Sequence, residues 1–504
     1  MSKIDSQDEV TTAASVPEYG YWSSMAELQR IEAGADAPEP TDLNALHDNA
    51  NAVADPMSRR NFFQLMGASM ALAGVAGAGC HRYEKEEIVP LARRPEDQVP
   101  GTTQQYASSF ELGGVAQPLL VSSYEGRPIH VDGNPEHPFS GPVGEGAHRH
   151  AGSSAFAQAS VLHLFDPDRD PGNSKTLPAG KGTNIDGLRS WWNEVKKSGL
   201  AGVRILSEAT SSPTVAVLKQ ELIKDGAQWH EYEALSWDNE RIGTAQAFGR
   251  PLRPMAHLDQ CDTIVTLDAD IFVEHPAALR YSKDFGKSRR PNGTRGGDKM
   301  NRLWSVESAF TNTGALADHR LPLRAELVLP LVMALDAAIS GGGAPGAEFL
   351  KEAAVAPFVE HLSSELKANT GRAVLIAGRR QPPAVHALVA KINAAIGANG
   401  AVLDYIEDAE PNRLSHLDSI KKLVADINGG AVKHLVIIGG NPLFDAPADL
   451  DFAGALAKVS SSLHLAEYAN ETSVACTSYM PRTHYLEAWG DARAYDGTVT
   501  LAQP

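Results

Sequence analysis

Cysteine is scarce in this sequence. Only three of the 504 residues are cysteines, Cys80, Cys261 and Cys476, and they lie far apart. Iron–sulfur clusters and Cys-rich zinc sites need several thiolates, commonly as CxxC pairs, and the sequence has no such pair. We therefore predict neither kind of site within these residues. A disulfide between Cys261 and Cys476 stays open, although nothing in the sequence favours it.

Long apolar runs and basic stripes are also missing. No stretch reaches the ~20 apolar residues that a membrane-spanning helix requires. The formal net charge is −17, so the chain does not offer the positive surface that nucleic acid binding requires. Hydrophobic residues make up 43% and charged residues 21% of the chain, which predicts a globular body with a substantial core.

Acidic residues are concentrated at the N-terminus. Residues 1–57 contain eleven Asp and Glu against Lys3 and Arg30, a net −9 that leaves −8 for the rest of the chain. We expect this region to be mostly disordered. A short helix is predicted near residues 22–32, because Ser24 and Glu27 have capping-box spacing and the region is rich in aromatic residues. Such a segment is typical of a docking epitope that becomes ordered on binding.

An export signal is predicted at residues 58–80, "SRRNFFQLMGASMALAGVAGAGC". Its apolar stretch, residues 65–79, suits a signal peptide and is too short to span a membrane. The positions that resemble a twin-arginine (Tat) signature are Ser58, Arg59, Arg60, Phe62 and Phe63. The alternative is a buried or amphipathic helix after a chance pair of arginines. The delayed signal, together with the upstream "YW" helix, resembles the extended Tat translocation signal domain of molybdenum and iron–sulfur cofactor proteins.

Cys80 closes the signal in the sequence "GAGC". This resembles a lipobox, in which the cysteine is acylated, but it departs at Gly77, where an aliphatic residue is usual. Acylated and unmodified forms of Cys80 both stay open. The signal predicts export by the Tat machinery to the periplasmic face of the cytoplasmic membrane, with lipid anchoring if Cys80 is acylated.

The segment after the signal, residues 81–170, is predicted to be β-rich. Runs at 119–122 and 128–131 form a hairpin around Gly126, and residues 159–169 form a short helix. This order resembles the opening of the molybdopterin oxidoreductase superfamily, in which the cysteines of a 4Fe-4S cluster precede the hairpin. Here Ser108, Ser109 and Gly113 occupy that region, and no cysteine lies between 80 and 261. The resemblance therefore implies that the cluster and the molybdenum-ligating cysteine are absent.

Residues 171–504 alternate predicted strands and helices. Four units, near residues 202–224, 261–271, 371–397 and 433–458, each place a buried strand before a turn, and three of them continue into a helical pattern. We predict an α/β fold with Rossmann-like doubly wound parallel sheets, a molybdopterin-oxidoreductase-like multilobed architecture with a small β-rich N-terminal portion. Because the sequence stops in the strand-like run "TVTLAQP", we expect a truncation relative to this family.

The turn Gly439, Gly440, Asn441 and Pro442 is the main candidate for a cofactor site. Its glycines would let the backbone approach a phosphate or a nucleotide ring, and a following helix would favour an anion. In the resembling family this turn contacts the guanine dinucleotide half of the cofactor, so we expect a vestigial site here. A plain tight turn is the alternative.

Other polar groups could be mistaken for sites. Asp268 and Asp270 suggest metal ligands, but acids at a strand end more often cap the next helix. The histidines of 137–150 (His137, His148 and His150) and the group His484, Glu487 and Asp491 could likewise suggest a metal or an acid/base site. We predict surface polar residues for the first set and a packing segment for the second. We predict no catalytic residue and no metal ligand.

Stretches such as "VESAFTNTGALADHRLPLR" and "HYLEAWGDARAYDGTV" resemble one subgroup, the molybdopterin-oxidoreductase-like component B of alternative complex III, a quinol-oxidising respiratory complex. The resemblance implies a body without molybdopterin guanine dinucleotide, with 4Fe-4S and 3Fe-4S clusters in a C-terminal part that this chain lacks. It also implies two partners, a polysulfide-reductase-like integral membrane quinol subunit and a multihaem cytochrome c.

Three functions are consistent with these observations. The first is a cofactor-free subunit that supports electron transfer through iron–sulfur domains outside this chain and is not catalytic by itself. The second is an active molybdopterin oxidoreductase that ligates molybdenum through Ser or Asp, or through no protein ligand. The third is a purely structural or assembly subunit. We favour the first.

Overall fold

The computed structural model describes residues 101–140, 151–169, 182–289, 300–342 and 355–504. The predicted helix near 22–32, the export signal, Cys80, His148 and His150 lie outside these ranges, and those predictions stay predictions.

A three-stranded antiparallel sheet begins the described chain. It consists of β1 (Gln104–Leu112), β2 (Val115–Tyr124) and β3 (Arg127–Gly133), in the order β1-β2-β3. The β2–β3 turn places Glu125 and Gly126 at φ of 51° and 85°, as tight hairpin turns require. Helix α1 (Ala155–Leu164) follows and packs against β3. The predicted hairpin is confirmed, and a helix follows it, but this helix begins four residues before the predicted 159–169 and ends at Leu164. Strand β1 was not predicted.

The rest of the described chain forms two parallel sheets and two small antiparallel ribbons. In chain order the elements are α2 (Ile185–Lys197), β4 (Val203–Ser207), α3 (Pro213–Lys224), β5 (Gln228–Glu231), α4 (Asp238–Phe248), β6 (Leu252–Ala256), β7 (Thr263–Leu267), α5 (Ala278–Ser288), β8 (Arg302–Glu307), α6 (Asn312–Leu316), β9 (His319–Pro322), α7 (Val328–Ser340), α8 (Val355–Ala368), β10 (Ala373–Ala377), α9 (Pro383–Ala395), β11 (Leu403–Glu407), α10 (His416–Asn428), β12 (His434–Ile438), α11 (Pro442–Asp445), α12 (Phe452–Leu456), β13 (Ser461–Ala466), α13 (Glu471–Ala475), β14 (Ser478–Pro481), β15 (Gly490–Arg493) and β16 (Val499–Ala502).

The larger sheet has the strand order β14-β13-β12-β4-β5 and is parallel throughout. Its strands come from two separate parts of the chain. Strands β4 and β5 precede a second structural unit, and β12, β13 and β14 follow it. That unit contains a parallel sheet of order β10-β7-β8-β9 and the antiparallel ribbon β6–β11. This unit, which we call the inserted unit, therefore lies in the chain between two strands of the larger sheet. The arrangement agrees with the predicted multilobed α/β architecture.

Several strands of the two parallel sheets are buried along their whole length. All five residues of β4, β7 and β10 are buried, as expected for parallel strands covered by helices on both faces. Within β4, Val203 and Ile205 pack in a cluster with Val195 of α2. Leu206 belongs instead to the cluster on the other face, which includes Leu423 of α10. The alternation along β4 thus separates two hydrophobic layers.

The final hairpin, β15–β16, closes on the N-terminal sheet. The Ser108 hydroxyl lies 3.3 Å from the carbonyl oxygen of Gln503 and 3.2 Å from its backbone nitrogen.

Within the described ranges, no helix is both long and apolar enough to cross a bilayer.

One predicted helix is wrong in its form. The sequence after β12 was expected to continue as a single helix, but it forms α11, a short 3₁₀ turn and α12. Pro447, which lies outside the first helical turn, cannot donate the bond that would continue α11. Asp451 adopts φ 45° and caps α12 through the backbone nitrogen of Gly454, at 3.1 Å. The segment is therefore broken into two short helices.

Candidate functional site

The strand order of the larger sheet reverses between β4 and β12. β4 leads to β5 on one side and β12 leads to β13 on the other, so the two loops leave their strands in opposite directions. In open α/β sheets a crevice forms at this point, beyond the carboxyl ends of the strands, and commonly binds the ligand. We call this the switch-point crevice. Its floor is formed by Gly439 and Gly440 after β12 and by Glu208 after β4.

The Gly439–Gly440 turn depends on its two glycines. Their φ angles are 70° and 67°, in the left-handed region that glycine enters without steric cost. The backbone nitrogen of Gly439 donates to Leu465 O at 2.7 Å, and that of Glu208 donates to Ile438 O at 3.3 Å. These bonds fix the turn against the ends of β13 and β4.

Two side chains cover the outer face of Gly439. A Cβ atom added to Gly439 would overlap the Glu208 carboxylate and lie 2.8 Å from the Arg482 guanidinium. Arg482 Nη1 lies 3.3 Å from Glu208 Oε2, and its Nη2 lies 3.5 Å from Glu467 Oε1. The space that the missing Cβ leaves is thus occupied by an ion-paired carboxylate of the same chain.

The other residues of the turn are bonded to the N-terminus of α13. Asn441 Nδ2 donates to Glu471 Oε2 at 2.6 Å, and its Oδ1 accepts from Thr472 Oγ1 at 2.7 Å. Asn470 Nδ2 donates to Gly440 O at 3.2 Å. Gly439, Gly440, Asn441 and Pro442 thus form a tight turn, which was the alternative, and a cofactor contact at this turn stays a prediction. The helix that follows, α11, is only four residues long, so the expected anion-favouring helix is not formed.

A histidine lies beneath the turn without adding charge to it. His464 is fully buried, with Nε2 at 3.3 Å from Gly439 O and Nδ1 at 2.8 Å from Ser473 Oγ. Burial lowers the pKa of His464 to about 4. The imidazole is therefore neutral near pH 7 and supports the turn through hydrogen bonds only.

Carboxylates dominate the crevice. Glu233 accepts from Ala209 N at 3.0 Å, and burial, reinforced by the charge of Glu208, raises the pKa of Glu233 to about 7. Burial also raises the pKa of Asp445 and of Glu111, with Glu208 contributing again. Each negative group thus makes ionisation of the others more costly. An added anion would meet the same repulsion.

A cleft of about 110 Å³ lies beside Ala209 and Glu233 and extends to residues of the inserted unit. Its wall includes Trp237, Arg253 and the buried Glu240. Burial raises the pKa of Glu240 to about 8, so this carboxyl group keeps its proton near neutral pH. Burial lowers the pKa of the neighbouring His275 to about 3. Glu240 and His275 are therefore both uncharged near neutral pH.

The second parallel sheet has its own switch point, between β7 and β10. Hydrogen bonds between the loops that follow its strands close this switch point. Asp268 Oδ1 accepts from Ser308 Oγ at 2.7 Å, and its Oδ2 accepts from Gln381 Nε2 at 3.1 Å. Asp270 accepts from Thr313 Oγ1 at 2.7 Å. A Cβ on Gly378 would overlap the carbonyl oxygen of Asp268. The two aspartates therefore hold loops together, and neither of them caps a helix, in contrast to the prediction from the sequence.

The remaining sequence candidates also make structural bonds. His137 accepts from Phe139 N at 3.1 Å. His484 is buried, with Nε2 at 3.1 Å from Ser160 O, and Glu487 pairs with Arg169 at 2.5 Å. Asp491 accepts from Thr214 Oγ1 at 2.6 Å, at the start of α3. The last three residues thus pack the C-terminal segment against α1 and α3, as predicted.

The described cysteines do not form a metal site. Cys261 lies in the core of the inserted unit and Cys476 lies in a core of the larger sheet, so they do not form a disulfide with each other. Across the parts of the chain that the structure describes, no three His, Cys, Asp or Glu side chains are grouped so as to hold a metal ion.

Sequence reasoning missed Glu208, Glu233 and Arg482. A signal for Glu208 was present, because it directly follows the predicted strand in "GVRILSE", where parallel sheets place functional groups. No local signal identified Arg482, which reaches Glu208 across 274 positions of sequence.

No family model matches the chain. The menaquinone reductase, molybdopterin-binding-like subunit of Nitratidesulfovibrio vulgaris (strain Hildenborough) is 23% identical over 422 residues, spanning 74% of this chain and 57% of that protein. The chain thus spans little more than half the length of this relative.

Among solved structures, acetylene hydratase from Pelobacter acetylenicus superimposes with a TM-score of 0.56 at 13% identity, covering 77% of this chain and 64% of that one. At this identity the likeness concerns the fold alone. The mixed α/β chain, with two parallel sheets and a small antiparallel sheet before them, has a molybdopterin-oxidoreductase-type fold.

Proposed function

We propose that this chain is a subunit of a membrane-bound respiratory complex that exchanges electrons with quinone, of the alternative complex III type. The observation that carries the proposal is the similarity over 422 residues to a molybdopterin-binding-like subunit of a menaquinone reductase. In this role the chain provides architecture and docking, and electrons pass through iron–sulfur domains outside it.

We further propose that the chain holds no molybdenum cofactor. A dinucleotide would bring a pyrophosphate to the switch-point crevice, and phosphates are bound by cations and backbone N–H groups. The guanidinium at the crevice floor, that of Arg482, is shared between Glu208 and Glu467. The surrounding acids Glu233 and Asp445 add repulsion. These residues do not fit the cofactor.

The cysteine inventory supports the same proposal. Molybdenum and iron–sulfur irons are held by soft thiolate ligands. Cys261 and Cys476 are each 0% exposed and lie in different hydrophobic cores. Neither thiol faces the switch-point crevice, whose lining is oxygen-rich.

Purification of the complex from membranes, through a tag on this chain, tests the proposed role. We expect an integral membrane quinol subunit and a multihaem cytochrome c to co-purify in stoichiometric amounts, with quinol oxidation activity in the preparation. Recovery of this chain as a monomer from a preparation whose quinol oxidation activity elutes elsewhere would contradict the proposal.

Localisation is part of the proposal. We propose Tat export to the periplasmic face, directed by Arg59 and Arg60, and lipid anchoring through Cys80. An Arg59→Lys/Arg60→Lys double variant is expected to stay in the cytoplasm, and Cys80→Ser to lose incorporation of labelled palmitate while still being exported. Export of the double-lysine variant at the unaltered rate would contradict the Tat assignment, and palmitate labelling of Cys80→Ser would contradict the anchor.

A further inference from the structure

We infer that Glu208 acts as a built-in anion that takes the ligand position of the switch-point crevice. A carboxylate and a phosphate share the features that a glycine turn with an arginine recognises: negative charge, compact size and acceptor oxygens. The inference deepens the proposal that the chain is cofactor-free, and rests on it, by naming the residue that excludes a phosphate-bearing ligand.

The Glu208 carboxylate lies where the larger sheet changes direction. Glu208 follows β4 and Gly439 follows β12, the two neighbouring strands at which the sheet changes direction. Because Gly439 has no side chain, the turn has an open face, and the Glu208 carboxylate lies within that open space. Any residue with a Cβ at position 439 would displace it, so the glycine accommodates Glu208.

Arg482 supplies a cation beside the turn. Arg482 comes from the end of β14 and lies against the same open face, 2.8 Å from the position of a Cβ on Gly439. Its Nη1 contacts Glu208 at 3.3 Å. A guanidinium beside a glycine turn would bind a phosphate group well, and here the Glu208 carboxylate takes that place.

The ion pair between Arg482 and Glu208 is accessible to solvent. The side chains of Arg482 and Glu208 are 40% and 43% exposed, so solvent reaches their ion pair at the floor of the crevice. Removal of Glu208 would therefore open a path from solvent to the turn without creating an enclosed cavity. The fold should tolerate the change.

Binding of inorganic pyrophosphate to the full 504-residue chain, measured by isothermal titration calorimetry, tests the inference. We expect no heat of binding with the natural chain at millimolar pyrophosphate. Glu208→Ala should bind at least tenfold more tightly, and Glu208→Gln, which removes the charge and keeps the volume, should show a smaller gain. Glu208→Ala/Arg482→Ala should lose the gain.

Glu467→Ala is the matched control, because it also removes a carboxylate from Arg482 but leaves Gly439 covered by Glu208. It should gain no binding. Equal gains in Glu467→Ala and Glu208→Ala would overturn the inference, because the effect would then be one of net charge. Absence of binding in both Glu208 variants, when their thermal unfolding is cooperative, would also overturn it, as would tight binding by the natural chain.

Failure here is distinguishable from failure of the proposed function. If the natural complex contains no molybdenum or pterin and the Glu208 variants do not bind pyrophosphate, the cofactor-free proposal stands and the role of Glu208 falls. If the natural complex contains molybdenum and pterin, the cofactor-free proposal falls whatever the variants do.

Discussion

The carboxyl group of Glu240 lies 3.5 Å from the hydroxyl group of Tyr495, and both side chains are buried. Glu240 lies on α4 of the inserted unit, whereas Tyr495 lies between β15 and β16, 255 positions later. Arg253 stacks on the Tyr495 ring at 5.1 Å. This polar contact therefore joins the inserted unit to the segment that closes on the N-terminal sheet.

Glu240 should make the stability of the chain depend on pH. Burial raises its pKa in the folded state to about 8, from 4.5. The folded state thus keeps a proton that the unfolded state has lost, so the contribution of Glu240 to stability is fully present below about pH 4.5 and is lost as the pH rises to about 8. Because one pKa unit corresponds to ~1.4 kcal/mol, the loss should be on the order of 5 kcal/mol across this range.

Denaturant unfolding of the natural chain and of Glu240→Gln at pH 5 and pH 8 measures this effect. The buried histidines titrate in both proteins, so the difference between the two isolates Glu240. The variant should lose less stability at pH 8, and the exposed-site control Glu221→Gln should behave like the natural chain. An identical pH dependence in Glu240→Gln and the natural chain would show that Glu240 ionises normally.

Core packing predicts a large difference between two leucines. Leu331 on α7 is 0% exposed and Leu218 on α3 is 51% exposed. Leu331→Ala should lower the free energy of unfolding by about 2–5 kcal/mol, because it leaves a cavity. Leu218→Ala should change it by less than about 0.5 kcal/mol. Equal losses, measured by urea unfolding, would mean that Leu218 is buried as well.

Two glycines should respond oppositely to alanine. A Cβ on Gly378 would overlap the backbone oxygen of Asp268, whereas a Cβ on Gly286, within α5, meets no atom within 4 Å. Gly378→Ala should destabilise the chain by about 1–3 kcal/mol. Gly286→Ala should stabilise it by about 0.5–1 kcal/mol. Thermal unfolding measures both, and an unchanged midpoint for Gly378→Ala would contradict the close contact.

The two described cysteines should be protected from reagents. Cys261 and Cys476 are buried, so in a Cys80→Ser background a thiol reagent should label neither under native conditions. Both should react once the chain is unfolded. Rapid labelling of either in the native chain would place that thiol at the surface and weaken the argument from the cysteine inventory.

Local rules predicted the local elements of the fold. Gly126 marked the β2–β3 turn, and the strand and helix predicted near residues 202–224 are β4 and α3. The exposed residues Val217 and Leu218 of the same helix show the limit of such rules, because helical spacing does not say whether a partner covers the helix.

Long-range relationships could not be predicted in this way. Strands β5 and β12 flank an insertion and belong to the same sheet, and nothing in either segment encodes that separation. The Glu208–Arg482 pair likewise joins positions that are far apart in sequence. The "GGNP" motif identified the turn correctly, but what lies over the turn depends on a residue contributed by another strand.

The metal and pterin content of the intact complex tests the central claim most directly. Molybdenum is measured by mass spectrometry of the metal, and pterin by fluorescence after oxidative extraction, both relative to the amount of this chain. The account predicts iron from partner clusters and haems but neither molybdenum nor pterin above background. Molybdenum and pterin at one equivalent per chain would contradict it.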